Sequence, residues 1–398
     1  MKMDKTERQP ELLPQPYKGV LDRYWSWMPA EMQWEGKDKI VTLGEGRTRL
    51  WRAENLENYL DETYRDFKAH VYLKVEGDNL GTHSFKDRGL TAAVTMAMAH
   101  GKEVAICAST GNTAAAAAAY CKKAGIRCIV FLPEGNVAPG KRFQSDFFGA
   151  EAVQIRGNFD AAMELVKKVC ELNPDVELLN SLNPYRVHGQ KTAAFEIVDE
   201  LGHAPKYHFI PVGNGMNIAA YWQGYKEYYA GRPELGIPRR ILNLPKMIGY
   251  QAAGAAPIVR GEVVKNPETR ASAIRIGNPA RWAEAVSAVR ESHGTFGMVT
   301  DEEIEFAYKL IPALEPVSCE FSSATSVAGL IKEIEHARVL AHGPREPLIM
   351  YTWYGCDIVC TLTGAIEKDL DLAQKTFMKE PVVIDASYDA VMDILRSK

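Results

Sequence analysis

The stretch VAICASTGNTAAAAAAYCKKAGIRCIVFLP, residues 104–133, decides the fold. It opens on a short continuous apolar run, VAICAS, and closes on another, RCIVFLP. Between them lies a helix-forming segment with an unbroken run of alanines, Ala114 to Ala119. Strands that lack polar alternation are buried on both faces, and two of them joined by a helix read as neighbours in a covered parallel sheet. The rhythm repeats on either side. VYLKV (71–75) precedes FKDRGLTAAVTMAMAH, AVQIRG (152–157) precedes FDAAMELVKKVCEL, and VELLN (176–180) precedes RVHGQKTAAFEIVDEL. YHFIPVG (207–213) precedes NIAAYWQGYKEYYAG, and PLIMYTW (347–353) and DIVCTLTG (357–364) are strand-like. The fold class is therefore α/β, with mostly parallel sheets and helices on both faces. The segment 230–300, rich in Gly, Pro and Ala, reads as loops over a surface or an interface. The tail PVVIDASYDAVMDILRSK reads as a strand and a closing helix.

The totals exclude several classes. A chain of 398 residues fits two or three packed units, and its 46% hydrophobic and 25% charged residues are those of a globular protein. A net charge of −4 gives no field for nucleic acid or an anionic membrane. No run of about 18 apolar residues occurs, so no membrane span is expected, and MKMDKTERQPELLPQPYKG lacks the apolar core of a signal peptide. The seven cysteines form no C-x-x-C pair and no cysteine–histidine cluster with zinc spacing, so no metal site is expected. Several lie in apolar runs, as reduced thiols of a cytoplasmic protein would.

Ligands of parallel sheets bind beyond the carboxyl ends of the strands. Three strand-to-helix junctions carry the chemistry expected there. In ASTGNT, Ser109, Thr110, Asn112 and Thr113 surround Gly111 at a helix start, more polar side chains than one N-cap needs. In PVGNGMN, Gly213 and Gly215 allow close backbone approach, while Asn214 and Asn217 can bond an anion such as phosphate. In LLNSLNPYRVHGQKT, Asn180, Ser181 and Arg186 cluster at another strand end, and arginine offers a planar fork for phosphate or carboxylate. Lys86, in LGTHSFKDRG, also follows a strand closely. By itself it is equally a solvated helix lysine. Beside helix N-termini suited to a phosphorylated aldehyde cofactor, it becomes a candidate for a Schiff base with pyridoxal phosphate.

Taken together, SFKDRG, STGNTAAAAAAY, NSLNPYRVHGQKTAAFEI, PVGNGMNIAAYWQGY, GYQAAGAAPIVRG and AIRIGNPARW resemble the threonine synthase family. These are fold-type II pyridoxal-phosphate enzymes, the group of tryptophan synthase β. The resemblance runs over about residues 18–370. It implies two open twisted sheet domains with the cofactor in the cleft between them. The smaller would run over 75–185, and the larger would be built from 1–74 and 186–398. The resemblance further implies that Lys86 carries pyridoxal 5′-phosphate and moves protons at Cα and Cβ. Asn112 would bond the cofactor's 3′-oxygen, Gly213, Asn214, Gly215, Met216 and Asn217 its phosphate, and Thr363 would stand near the pyridine nitrogen. Ser109, Thr110, Gly111 and Thr113 would grip the substrate carboxylate; Asn180, Ser181 and Arg186 its phosphate. The reaction implied is conversion of O-phosphohomoserine and water to threonine and phosphate, by a homodimer.

Three stretches depart from the family pattern. The usual N-P-T-G-S-F-K-D-R-G is NLGTHSFKDRG, which places His83 on the loop bordering the cofactor, as a substrate or phosphate contact or as loop packing. The usual T-G-H-G-L-K-D is TGAIEKD, and C-E-P-A-S-A-A is CEFSSATS. These changes keep open a relative acting on another amino acid by β-elimination or β-replacement, of the cysteine desulfhydrase or cysteate synthase type. A non-catalytic binding protein would have lost Lys86 or the glycine loops, and both are present.

Overall fold

The structure, a computed structural model, describes residues 17–65, 67–109, 111–134, 139–156, 159–341 and 353–396. Among them, ten strands form two sheets. The smaller is wholly parallel, in the order β5(Glu151–Ile155), β4(Arg127–Pro133), β3(Val104–Ala108), β6(Val176–Leu178). The larger has the order β1(Leu50–Arg52), β2(His70–Val75), β10(Asp357–Leu362), β7(Tyr207–Pro211), β8(Lys246–Ala252), β9(Thr295–Val299). Within it β1 pairs antiparallel with β2 and every other pair is parallel.

The alanine run explains how the smaller unit packs. Ala114 to Ala119 are each no more than 3% exposed, lying between the sheet and the helix Lys86–Ala99. Small side chains let these layers approach closely, and Gly125, in the left-handed region at φ 74°, ends the helix so that β4 can begin.

Both sheets reverse direction once. The chain steps from β3 to β4 to β5 and then returns β6 to the other side of β3. It likewise steps from β7 to β8 to β9 and returns β10 to the other side of β7. At such a reversal the loops leaving the two adjacent strands diverge and open a crevice. The loops concerned are those after β3 and β6 in one sheet and after β7 and β10 in the other. They are the polar stretches singled out in the sequence.

Three expectations need correction or limitation. The segment 230–300 is not a run of loops: it contains β8, β9 and the helix Trp282–Glu291. Its glycines make room for rings. A Cβ on Gly249 would stand 2.6 Å from the Phe296 ring, and one on Gly297 2.5 Å from the Tyr250 ring. The tail forms the helix Tyr388–Arg396, but 381–387 is not a strand, because among the described residues no strand pairs with it. The strand expected at 347–353 lies outside the described residues except for Trp353, which sits in a bend. No helix among the described residues is long and apolar enough to cross a membrane.

Candidate active site

Lys86 opens the helix that follows β2. The turn before it is pinned from several sides. The Asp87 carboxylate accepts from the Thr82 N–H and hydroxyl, both at 2.7 Å, and the Phe85 N–H donates to the Thr363 carbonyl at 2.9 Å. The Lys86 side chain keeps a partial opening to solvent, while its amine lies deep in the cleft, 4.0 Å from the Phe85 ring centroid. Burial pushes the amine down to about 7, Arg186 adds to the effect, and Glu320 opposes it. A lysine near neutrality is a nucleophile and a proton carrier at physiological pH.

The loop after β3 brings Asn112 to the site. Gly111 is the N-cap of the helix Asn112–Ala124 and gives it no side-chain cap. Its N–H donates to the Ser109 hydroxyl at 3.2 Å. Thr113 is half-buried beside it, and Thr110 lies outside the described residues. The Asn112 amide donates to both oxygens of Glu320, at 3.2 and 3.0 Å. The Thr363 hydroxyl, just beyond β10, donates to the same carboxylate at 2.8 Å and lies 2.9 Å from the Ser323 hydroxyl. Glu320 thus joins the two side chains assigned to the cofactor's 3′-oxygen and ring nitrogen. It is 1% exposed, and burial together with Asp369 raises its carboxyl above the usual range. Sequence reasoning missed it, although it is the one acidic residue within the stretch SCEFSSATS.

The loop after β7 has the form expected of a phosphate cradle. Gly215 has φ 83°, and a Cβ there would lie 2.6 Å from the Arg281 carbonyl, so the turn requires glycine. Asn214 accepts from the Ala280 N–H at 3.3 Å, and Met216 begins the helix Met216–Ala230. Asn217 is 8% exposed, and both ends of its amide lack a hydrogen-bond partner. Buried polar atoms are nearly always satisfied, so an orphaned amide at a helix N-terminus marks a place for a ligand.

The loop after β6 divides into supports and donors. Asn180 was expected to hold a substrate phosphate. Instead its amide closes on the Ala108 backbone, accepting from the N–H at 2.9 Å and donating to the carbonyl at 2.8 Å. It ties β6 to β3. Arg186 is 1% exposed and gives one terminal nitrogen to the Leu179 carbonyl at 3.0 Å. Its Nε, its other terminal nitrogen and the Ser181 hydroxyl have no partner. Gln190, one turn further along, is also buried with both amide atoms unpartnered, a feature visible in sequence only as an i, i+4 pair with Arg186.

His83 does not face inward in this way. It adopts φ 57°, its side chain is 47% exposed, and its Nδ1 lies 3.9 Å from Glu367. The Ala365 N–H donates to the His83 carbonyl at 3.0 Å, and Ser84 bridges to Gly364. The unusual residues of NLGTHSFKDRG and TGAIEKD therefore touch one another and form one altered rim.

Residues 41–343 match the model of the family described as pyridoxal-phosphate dependent enzyme. The chain is 48% identical to threonine synthase of Mycobacterium bovis over 372 residues, 93% of this chain and 94% of that one. The chain belongs to the threonine synthase family. Threonine synthase of Halalkalibacterium halodurans is 44% identical, over 96% of this chain and 98% of the relative. Among solved structures, a threonine deaminase from Solanum lycopersicum matches the fold with TM-score 0.65 at 20% identity, over 92% of this chain and 93% of that one. A cysteine synthase from Entamoeba histolytica matches with TM-score 0.66 at 17% identity, over 96% of each chain. The protein is thus a pyridoxal-phosphate-dependent lyase of fold type II, and its site suits that cofactor. A depressed buried lysine stands ready for the aldehyde, and the orphaned Asn217 amide at a glycine-built helix start is ready for the phosphate.

Lys86 attacks a carbonyl only as the neutral amine. Uptake of pyridoxal phosphate by the apoprotein is therefore expected to quicken as pH rises through about 7 and to level off above it. Stopped-flow absorbance from pH 6 to 9 (~three units) reads this directly. A rate still climbing steeply at pH 9, toward the ordinary lysine range near ~10.4, would contradict a depressed amine.

Proposed function

We propose that this chain converts O-phosphohomoserine and water to threonine and phosphate. The observation that carries the reading is Arg186, fully buried, with two guanidinium nitrogens unpartnered, on the same loop as the unpartnered Ser181 hydroxyl. A buried cation with open donors is costly unless a strongly anionic group completes it. The same cation helps to depress Lys86, which supports an anion subsite near the reactive amine. Bound pyridoxal phosphate supplies an electron sink for charge developing at the substrate's Cα and Cβ. The rest falls to the chain's own residues. Arg186 and Ser181 hold the substrate phosphate, and Asn180 braces their loop from behind. Ser109, Gly111, Thr113 and Thr110 receive the carboxylate. Lys86 would hold and move protons at Cα and Cβ while the γ-phosphate leaves and water adds at Cβ. Asn112 and Thr363, both fixed by Glu320, orient the ring, and Gly213 to Asn217 hold the cofactor phosphate.

The same reading divides the chain into a smaller domain at 75–185 and a larger one from 1–74 and 186–398, with the cleft between them. It includes a homodimer, supported by the apolar side chains exposed along the tail, among them Met378, Val383, Tyr388 and Leu395. A cytoplasmic setting accords with seven cysteines of which none is in a disulfide.

The test is release of phosphate from O-phosphohomoserine by the cofactor-loaded protein, with threonine followed in parallel. Stoichiometric threonine and phosphate are the expected result. Absence of both, with normal cofactor absorption, would move the reading to β-elimination or β-replacement on another amino acid. The altered rim of His83, Ala365 and Glu367 is the feature that would have redirected it.

A further inference from the structure

The two anion-binding loops belong to different sheets. Ser181 and Leu182 follow β6 of the smaller sheet, whereas Asn214 and Gly215 follow β7 of the larger one. A substrate that reaches from the cofactor to Arg186 needs the distance between these loops to be fixed. Arg281 contacts both. Its Nε donates to the Ser181 carbonyl at 2.9 Å, and one terminal nitrogen donates to the Leu182 carbonyl at 3.0 Å. Its other terminal nitrogen donates to Glu284 at 2.8 Å. Its backbone N–H donates to the Asn214 carbonyl at 3.0 Å, and its own carbonyl lies under Gly215. One residue thus grips the phosphate-cradle loop with its main chain and the Ser181 turn with its side chain.

The contact has the specificity of a guanidinium. A planar fork holds two consecutive carbonyls in one fixed geometry, whereas a lysine ammonium is a point charge whose donors rotate and set no such geometry. The carbonyls it holds belong to Ser181, whose hydroxyl is among the unpartnered donors of the anion subsite, and to its neighbour Leu182. A groove of about 430 Å³ is lined in part by Trp222, Lys226, Arg281 and Glu291. Small solutes can therefore reach the Arg281 side chain from this groove.

We propose that Arg281 is a positioning residue for the substrate's anionic group, holding the Ser181–Leu182 turn at a fixed distance from the Asn214–Gly215 loop. The inference rests on reading this cleft as an O-phosphohomoserine site. Misplacement of a binding group by about 1 Å can cost up to ~10²-fold. The Arg281→Ala protein, full-length and cofactor-loaded, is expected to show KM for O-phosphohomoserine raised about tenfold or more, with kcat within about threefold. It should also bind inorganic phosphate about tenfold more weakly, read by calorimetry. Millimolar guanidinium, entering from the groove, should restore phosphate affinity in Arg281→Ala and leave the unsubstituted protein unchanged. Arg281→Lys should fall between the two. Unchanged KM and phosphate affinity in Arg281→Ala would overturn the proposal. So would a matched fall in kcat and thermal stability that guanidinium does not rescue, since that is the signature of a purely structural arginine. If the unsubstituted protein releases no phosphate from O-phosphohomoserine while the guanidinium-rescued loss of phosphate binding persists, the substrate reading fails and the role of Arg281 stands.

Discussion

Lys86→Ala is expected to lose turnover by at least about 10³-fold, the scale of a positioned acid–base group, with a further loss because the proposed covalent attachment goes too. The substitution removes an amine that burial in the cleft depresses to about 7. The scaffold should survive. Lys86 donates no hydrogen bond that holds the turn, which is fixed by Asp87 on Thr82 and by the Phe85 N–H on Thr363. Removing a buried cation next to Arg186 also relieves repulsion. Folding stability should therefore stay level or rise, while activity disappears. Two readouts separate attachment from general damage. Borohydride treatment followed by mass spectrometry should find pyridoxyl on the peptide containing Lys86 in the unsubstituted protein and on no peptide in Lys86→Ala. The visible absorption of the bound cofactor should shift in the variant. An unchanged spectrum together with a reducible adduct elsewhere would remove Lys86 from its proposed role.

What the sequence disclosed followed from where the physics is local. Much of the run from Val71 to Ala230 was legible because strands covered on both faces, such as β3 and β7, must be continuous and apolar, and their helices must be amphipathic or small. The ligand loops were legible for the same reason: they are what remains between a strand end and a helix start. The missing parts depend on distant partners. β8 and β9 were hidden because Gly249 and Gly297, which read as turn residues, serve to admit the rings of Phe296 and Tyr250. Glu320 could not be weighed until β10 returned beside β7 and set Thr363 against it. Asn180 was found as a polar residue at the right loop. Only the pairing of β6 with β3 shows that Ala108 takes up both ends of its amide. Arg281 lies in the quoted stretch AIRIGNPARW, yet its partners are about 70 to 100 residues away in sequence, at Asn214, Ser181 and Leu182. Composition names the chemistry available, and topology decides which of it is already engaged.

A second large effect is expected two residues beyond the reactive lysine. Arg88 is fully buried between two carboxylates. It donates to Glu76 at 2.6 and 3.0 Å and to Glu196 at 2.6 and 3.0 Å, and the Lys74 amine donates to Glu196 at 2.9 Å. Thr48 and Thr192 complete the guanidinium's donors. Two cations thus face two anions, all four side chains buried. Such a cluster is weak evidence of net stabilisation while it is whole, because desolvation offsets attraction. Breaking it is another matter. Glu196→Gln would leave Arg88 and Lys74 with a single carboxylate between them, a change that typically costs about 3–5 kcal/mol. Adding Lys74→Met to Glu196→Gln should return part of that loss, since it restores one cation to one anion. Equal loss in the single and double variants would show that packing, and not charge balance, sets the cost. The pH dependence follows with a definite sign. Burial by itself would raise the Glu196 carboxyl, but Arg88 and Lys74 outweigh it and hold the group below the usual range. Its contribution is therefore complete above the unfolded value near ~4.3 and is lost progressively as pH falls below that toward the folded value. Urea denaturation at pH 7 and at ~pH 4 should show a steeper acid loss in the unsubstituted protein than in Glu196→Gln, in which the titrating group is gone. Because the cluster clamps the helix that begins at Lys86, partial acid unfolding should release the cofactor before the six-stranded sheet melts. Cofactor absorbance followed beside far-ultraviolet circular dichroism reads that order, and coincident transitions would argue that the clamp and the sheet fail together.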